Sequence, residues 1–134
     1  MIPSLKFHHV GVACKNIVKT RDFVCRLHGV KPDAELPKII DDHRQNIRLC
    51  LISVANGFRI ELVSGEKVNN LIAKGMSYYH ICYSTPDIDS AILELRDLGC
   101  IPVFGPIEAV LFGDSRVVFL MTPMGMIELL EEAA

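Results

Sequence analysis

The chain lacks the features that mark several large protein classes. No apolar run approaches the roughly 18 residues that a membrane-spanning helix needs. The beginning, Met1-Ile-Pro-Ser-Leu-Lys-Phe-His8, has neither the basic stretch nor the long apolar core of a secretory signal. A basic surplus is missing too: the formal net charge is −2 and the isoelectric point about 6.2, against a nucleic-acid binder. No block of like charge offers a surface for a polyanion or a membrane. The five cysteines (Cys14, Cys25, Cys50, Cys82, Cys100) are odd in number, scattered and never spaced Cys-x-x-Cys. That excludes a thiolate zinc site or a disulfide framework, and their apolar neighbours read as a buried, reduced setting. The expectation is a soluble cytoplasmic protein.

What is present is hydrophobic: half of 134 residues, with 22% charged, which suits a single folded domain over 1–134. The chain also reads as one unit written twice. Phe7-His8-His9-Val10-Gly11-Val12 lies over Tyr78-Tyr79-His80-Ile81-Cys82-Tyr83, an offset of 80 − 9 = 71. Arg48-Leu49-Cys50-Leu51-Ile52 lies over Arg116-Val117-Val118-Phe119-Leu120, an offset of 116 − 48 = 68. Arg59-Ile60-Glu61-Leu62-Val63 lies over Met126-Ile127-Glu128-Leu129-Leu130, an offset of 128 − 61 = 67. Three matches in the same order define two modules, about 5–65 and 76–132.

Each module opens with a short apolar strand, near Phe7–Ala13 and Tyr78–Ser84. A helix follows, capped by Asn16 in one module and by Thr85 or Asp87 in the other. Ile88, Ala91, Ile92, Leu95 and Leu98 form one apolar helical stripe ended by Gly99. Three strand-like runs come next, near Val30, Ile47–Val54 and Phe58–Val63, then near Ile101–Phe104, Arg116–Met121 and Met126–Leu130. The predicted unit is β-α-β-β-β. Ser64–Gly75 connects the modules with a short helical stretch.

The repeat sets His9 and His80 in the opening strands and Glu61 and Glu128 in the closing ones. Strand alternation turns each glutamate away from its apolar neighbours, toward water or toward a cavity that compensates its charge. One such residue alone is an ordinary surface acid or structural histidine; four at repeat-equivalent places describe a metal site. Imidazole nitrogens with carboxylate oxygens suit one divalent ion, Ni, Co or Zn foremost, then Mn, Fe or Mg. His8 should face away from His9, so at most one of the pair reaches the ion. His28 reads as a helix-end partner and His43 as a surface residue. Arg48 and Arg116 are repeat-equivalent, with Arg116 as a candidate anion-binding residue for substrate.

The segments Phe7–Ala13, Arg59–Val63, Tyr79–Tyr83 and Gly125–Leu129 resemble the vicinal oxygen chelate superfamily, the glyoxalase/bleomycin-resistance/dioxygenase group, over nearly the whole chain. The resemblance implies an α+β fold in which two βαβββ modules form a curved mixed sheet around a metal cavity, commonly in a homodimer. It is nearest to small glyoxalase I-like (lactoylglutathione lyase-like) proteins, with methylmalonyl-CoA epimerase a near relative. It implies His9, Glu61, His80 and Glu128 as metal positions, Glu128 as first choice for the catalytic base and Glu61 as second. The implied reaction is proton abstraction beside a carbonyl on a hemithioacetal or thioester. An epimerase of this type also uses a second carboxylate, for which Asp41 and Asp42 are the nearby acids. The alternative of another class is a non-catalytic small-molecule-binding protein.

Overall fold

The computed structural model describes residues 4–30 and 34–133. Its elements run β1 (Lys6–Ala13), α1 (Ile17–Leu27), β2 (Ile40–Asp42), β3 (Ile47–Ser53), β4 (Arg59–Ser64), α2 (Glu66–Ala73), β5 (Tyr78–Thr85), α3 (Ile88–Asp97), β6 (Ile101–Ala109), β7 (Ser115–Thr122) and β8 (Gly125–Glu131). This is the α+β fold of paired βαβββ modules.

The chain packs as two compact units, one of Val10–Tyr79 and one of Met1–His9 with His80–Ala134. The boundary cuts through β1, so the start of that strand packs with the second half of the chain.

In the unit 10–79, β4 runs parallel to β1 and antiparallel to β3, and β3 pairs with β2. The Asn16 side chain accepts a hydrogen bond from the Lys19 N–H and starts α1, as its sequence position predicts. The helix lays Ile17, Val24 and Cys25 against Cys50, Ile52 and Leu62, all buried. The strand expected near Val30 does not include that residue, and residues 31–33 lie outside the described residues. Val30 ends the helix instead, its N–H bonded to the Cys25 carbonyl and its side chain packed on the same core. The extra strand is Ile40–Asp42, an acidic segment held by backbone pairing with β3. The β3–β4 link is a one-turn 3-10 segment, Ala55–Gly57. Asn56 and Gly57 both take positive φ (65° and 73°), which suits that Asn-Gly pair.

In the other unit, β8 runs parallel to β5 and antiparallel to β7, which pairs with β6. Asp87, rather than Thr85, caps α3 through the Ser90 N–H. The helix buries Ile88, Ala91 and Leu95 against Val118, Leu120, Ile127 and Leu129. β6 extends to Ala109, well beyond the expected Phe104. Register shifts between Pro102 and Phe104, and between Phe104 and Ile107, carry the strand through Gly105-Pro106, a pair that reads as a strand breaker. All five cysteines are buried and unpaired with one another, as their apolar neighbours suggest.

Candidate metal centre

β8 places the first buried acid. Ile127 and Leu129 point to the α3 side and Glu128 to the other, where it is 3% exposed. Glu128 sits opposite Cys82 on β5 and Phe119 on β7. His80, two residues before Cys82, shares its face of β5, and His9 of β1 belongs to the same unit.

The three side chains meet at their tips. His9 Nε2 lies 3.1 Å from Glu128 Oε1, His80 Nε2 lies 3.2 Å from the same oxygen, and the two Nε2 atoms are 3.2 Å apart. This is a nearly equilateral triangle of donor atoms. Neither contact to Oε1 has hydrogen-bond geometry, although that oxygen is buried. Metal–ligand bonds of about 2.1 Å put neighbouring donors ~3.0 Å apart in an octahedron and ~3.4 Å apart in a tetrahedron. The observed edges fall between these values, so the donor set fits a divalent ion.

Electrostatics agree with that role. Burial alone would raise the Glu128 carboxyl, but the His80 and His9 rings more than offset it and hold the group well below the usual carboxylate range. Glu128 is thus an anion available as a ligand.

Glu61 lies in the other unit, on β4, 3% exposed and opposite Gly11 of β1. Glu61 opposite Gly11 and Glu128 opposite Cys82 are repeat-equivalent pairings, each two residues past the module's histidine.

Aromatic rings surround the imidazoles. Phe112, in the one-turn 3-10 segment Val110–Phe112, stacks on His9 with centroids 5.7 Å apart and planes 18° from parallel. Phe119 meets His80 edge-on at 5.3 Å. The sequence reading singled out neither. Strand alternation against Val118 and Leu120 does mark Phe119 as facing the glutamate side. Phe112 lies in a loop with no periodic signal.

His8 departs from expectation. It is buried, and its Nδ1 lies 2.8 Å from that of His9 although the two residues are adjacent on a strand. Arg116 occupies the α3 face of β7. Its guanidinium donates to both carboxylate oxygens of Glu131 (3.1 and 3.0 Å) and of Asp89 (3.3 and 3.0 Å). Arg48 is exposed and pairs with Asp41 at 3.4 Å. Asp42 is buried and accepts from the Arg44 and Gln45 backbone N–H groups and from Gln45 Nε2. It is a turn-forming acid. His28 and His43 are both exposed, His28 at the end of α1.

Residues 8–119 match the family described as the glyoxalase/bleomycin resistance protein/dioxygenase superfamily. No curated protein matches the chain. Among solved structures, methylmalonyl-CoA epimerase from Mycobacterium tuberculosis is similar, with TM-score 0.75 and 22% identity over 96% of this chain and 88% of that one. A hypothetical protein from Bacillus halodurans C-125 superposes with TM-score 0.76 and 19% identity over 98% and 96%. A variant of Streptomyces coelicolor methylmalonyl-CoA epimerase in complex with 2-nitronate-propionyl-CoA gives TM-score 0.73 and 22% identity over 96% and 98%. At these identities the likeness is one of fold.

Proposed function

Because the chain belongs to the glyoxalase/bleomycin resistance protein/dioxygenase superfamily, we propose that it is a metal-dependent enzyme that moves a proton next to the carbonyl of an acyl thioester, in the manner of an epimerase. The observation that carries this reading is the buried triangle of His9 Nε2, His80 Nε2 and Glu128 Oε1. Glu61 is the fourth ligand in this reading, supported by its burial and by its repeat-equivalent pairing opposite Gly11. A divalent ion held by these residues, Ni, Co or Zn, supplies Lewis acidity toward a carbonyl oxygen.

The protein's own groups do the remainder. Glu128 is the first choice for the base in this reading and Glu61 the second, each doubling as a ligand. As the α C–H bond breaks, that carboxylate accepts the proton, and a second donor on the opposite face delivers a proton to the same carbon, which inverts its configuration. Phe112 and Phe119 shield the histidines and keep the surroundings of the developing charge low in dielectric. The thioester class is supported by relatives of the same fold that are methylmalonyl-CoA epimerases, one of them in complex with methylmalonyl-CoA.

One observation favours a second reading, isomerisation of the methylglyoxal–thiol hemithioacetal to a lactoyl thioester. The acids nearest to the second carboxylate of an epimerase are otherwise engaged, Asp42 in its turn and Asp41 with Arg48. Solvent-deuterium exchange followed by proton NMR separates the two. Metal-loaded protein incubated in D2O with methylmalonyl-CoA should lose the α-proton signal, and metal-stripped protein should leave it. Turnover of the hemithioacetal without thioester exchange would replace the first reading by the second. Inertness toward both, with tight binding of either, would make the chain a binding protein.

A further inference from the structure

His8 and His9 are consecutive and both buried, 5% and 0% exposed. Alternation along β1 should send their side chains apart, yet the rings meet edge to face, with centroids 5.0 Å and Nδ1 atoms 2.8 Å apart. Two imidazole nitrogens at that distance share one proton, carried by one and accepted by the other. Phe112 fixes both planes, stacked on His9 and edge-on to His8 with centroids 5.5 Å apart. Beyond His8, its Nε2 faces Glu132 Oε2 at 3.8 Å, and that carboxylate side chain is 55% exposed.

The direction of the shared proton follows from the chemistry of the triangle. A ring nitrogen can ligate a metal only with its lone pair bare, and a neutral imidazole then carries its proton on the other nitrogen. With Nε2 of His9 facing Glu128 and His80, Nδ1 of His9 must bear the hydrogen, and His8 must accept it. His8 in turn keeps its own proton on Nε2, toward Glu132. The geometry points to His8 as a positioning residue that fixes the tautomer and ring angle of His9, an inference that rests on the metal reading of the triangle. Metal-bound histidines usually donate to a carboxylate, a backbone carbonyl or water. Here a neutral imidazole from the adjacent residue does that work. Cys82 belongs to the same buried group, its sulfur within 4.8 Å of the two histidine nitrogens. This supplies a definite rival, in which a second ion rather than a proton joins His8 and His9.

The test uses zinc-loaded full-length protein. Imidazole nitrogen–proton NMR correlations should show His9 protonated at Nδ1 and His8 bare at Nδ1, with one zinc bound per chain. In competition with a chromophoric chelator, His8→Phe should weaken zinc binding by about 10–100-fold. His8→Asn, whose side-chain oxygen can accept the same N–H, should recover most of that loss. Wild-type affinity in His8→Phe, failure of His8→Asn to exceed it, or a proton on Nε2 of His9 would overturn the inference. So would a second zinc that Cys82→Ser removes. If His8→Phe does not fold, the NMR tautomer and His8→Asn decide between the outcomes. A wild type that takes up no zinc refutes the metal reading, whereas one that binds zinc indifferently to His8 refutes this inference alone.

Discussion

Replacing Glu128 by glutamine keeps the shape of the buried triangle and removes its carboxylate charge. In the metal-loaded protein the effect on thermal stability follows from linkage. Free ion at ~100 times its dissociation constant stabilises the folded chain by ~2.7 kcal/mol. A chain of 134 residues unfolds with an entropy of ~0.28 kcal/mol/K, so this corresponds to a rise in Tm of ~10 °C. Losing an indirect partner of a ligand costs ~10–100-fold in affinity, and losing an anionic ligand itself costs at least the upper end of that range. At the same ion concentration, a hundredfold weaker variant keeps only ~0.4 kcal/mol, or ~1–2 °C. The assay is differential scanning calorimetry of wild type and Glu128→Gln, each metal-free and each with zinc. Arg116→Ala is the control, since its side chain lies on the α3 face and bonds Asp89 and Glu131. It should lower both melting temperatures and keep the full metal-induced difference. A Glu128→Gln protein that retains a difference near 10 °C would refute the ligand assignment.

Glu131 bonds Arg116 and the Ile88 N–H, which hold its carboxyl below the usual range. Its folded pKa therefore lies below the unfolded value of about 4.3, so its stabilisation is complete above that pH and fades on acidification. Glu131→Gln should cost about 1 kcal/mol in urea unfolding at pH 7, with the difference from wild type shrinking below pH ~4. Leu129 is fully buried against α3, and Leu129→Ala should lose about 2–5 kcal/mol. Gly105 has φ +90°, and an added Cβ would meet the Val117 carbonyl oxygen at 2.7 Å. Gly105→Ala should therefore destabilise by more than about 1 kcal/mol, read from the urea midpoint.

How much of this was legible in the sequence depends on what each feature answers to. Helices α1 and α3 and the inward turn of Glu128 follow from periodicity, because apolar stripes and alternation report burial directly. Ile40–Asp42 carries no such stripe; its strand exists through backbone pairing with β3 and could not be read from side-chain pattern. Val30 misleads for the converse reason, an apolar residue after Gly29 that itself closes a helix. The Gly105-Pro106 pair hides the length of β6, since register shifts absorb what would otherwise break it. The repeat pointed to His9, His80 and Glu128, whose tips meet, and to Glu61, whose part in the site is a proposal. The His8–His9 contact escaped because alternation gives the side of a strand on which a residue starts, not where a five-membered ring can lean. Arg116 looked like an anion site through its repeat partner Arg48, while its two carboxylate partners are distant in sequence, at Asp89 and Glu131.

Titration of metal-stripped wild-type protein with zinc and with nickel by calorimetry bears most directly on the central claim, that the histidines and glutamates of the two modules together hold one divalent ion. The account predicts saturable binding at one ion per chain, lost in His80→Ala and weakened in Glu61→Gln. No heat of binding in the wild type, or saturation unchanged in both variants, would contradict it.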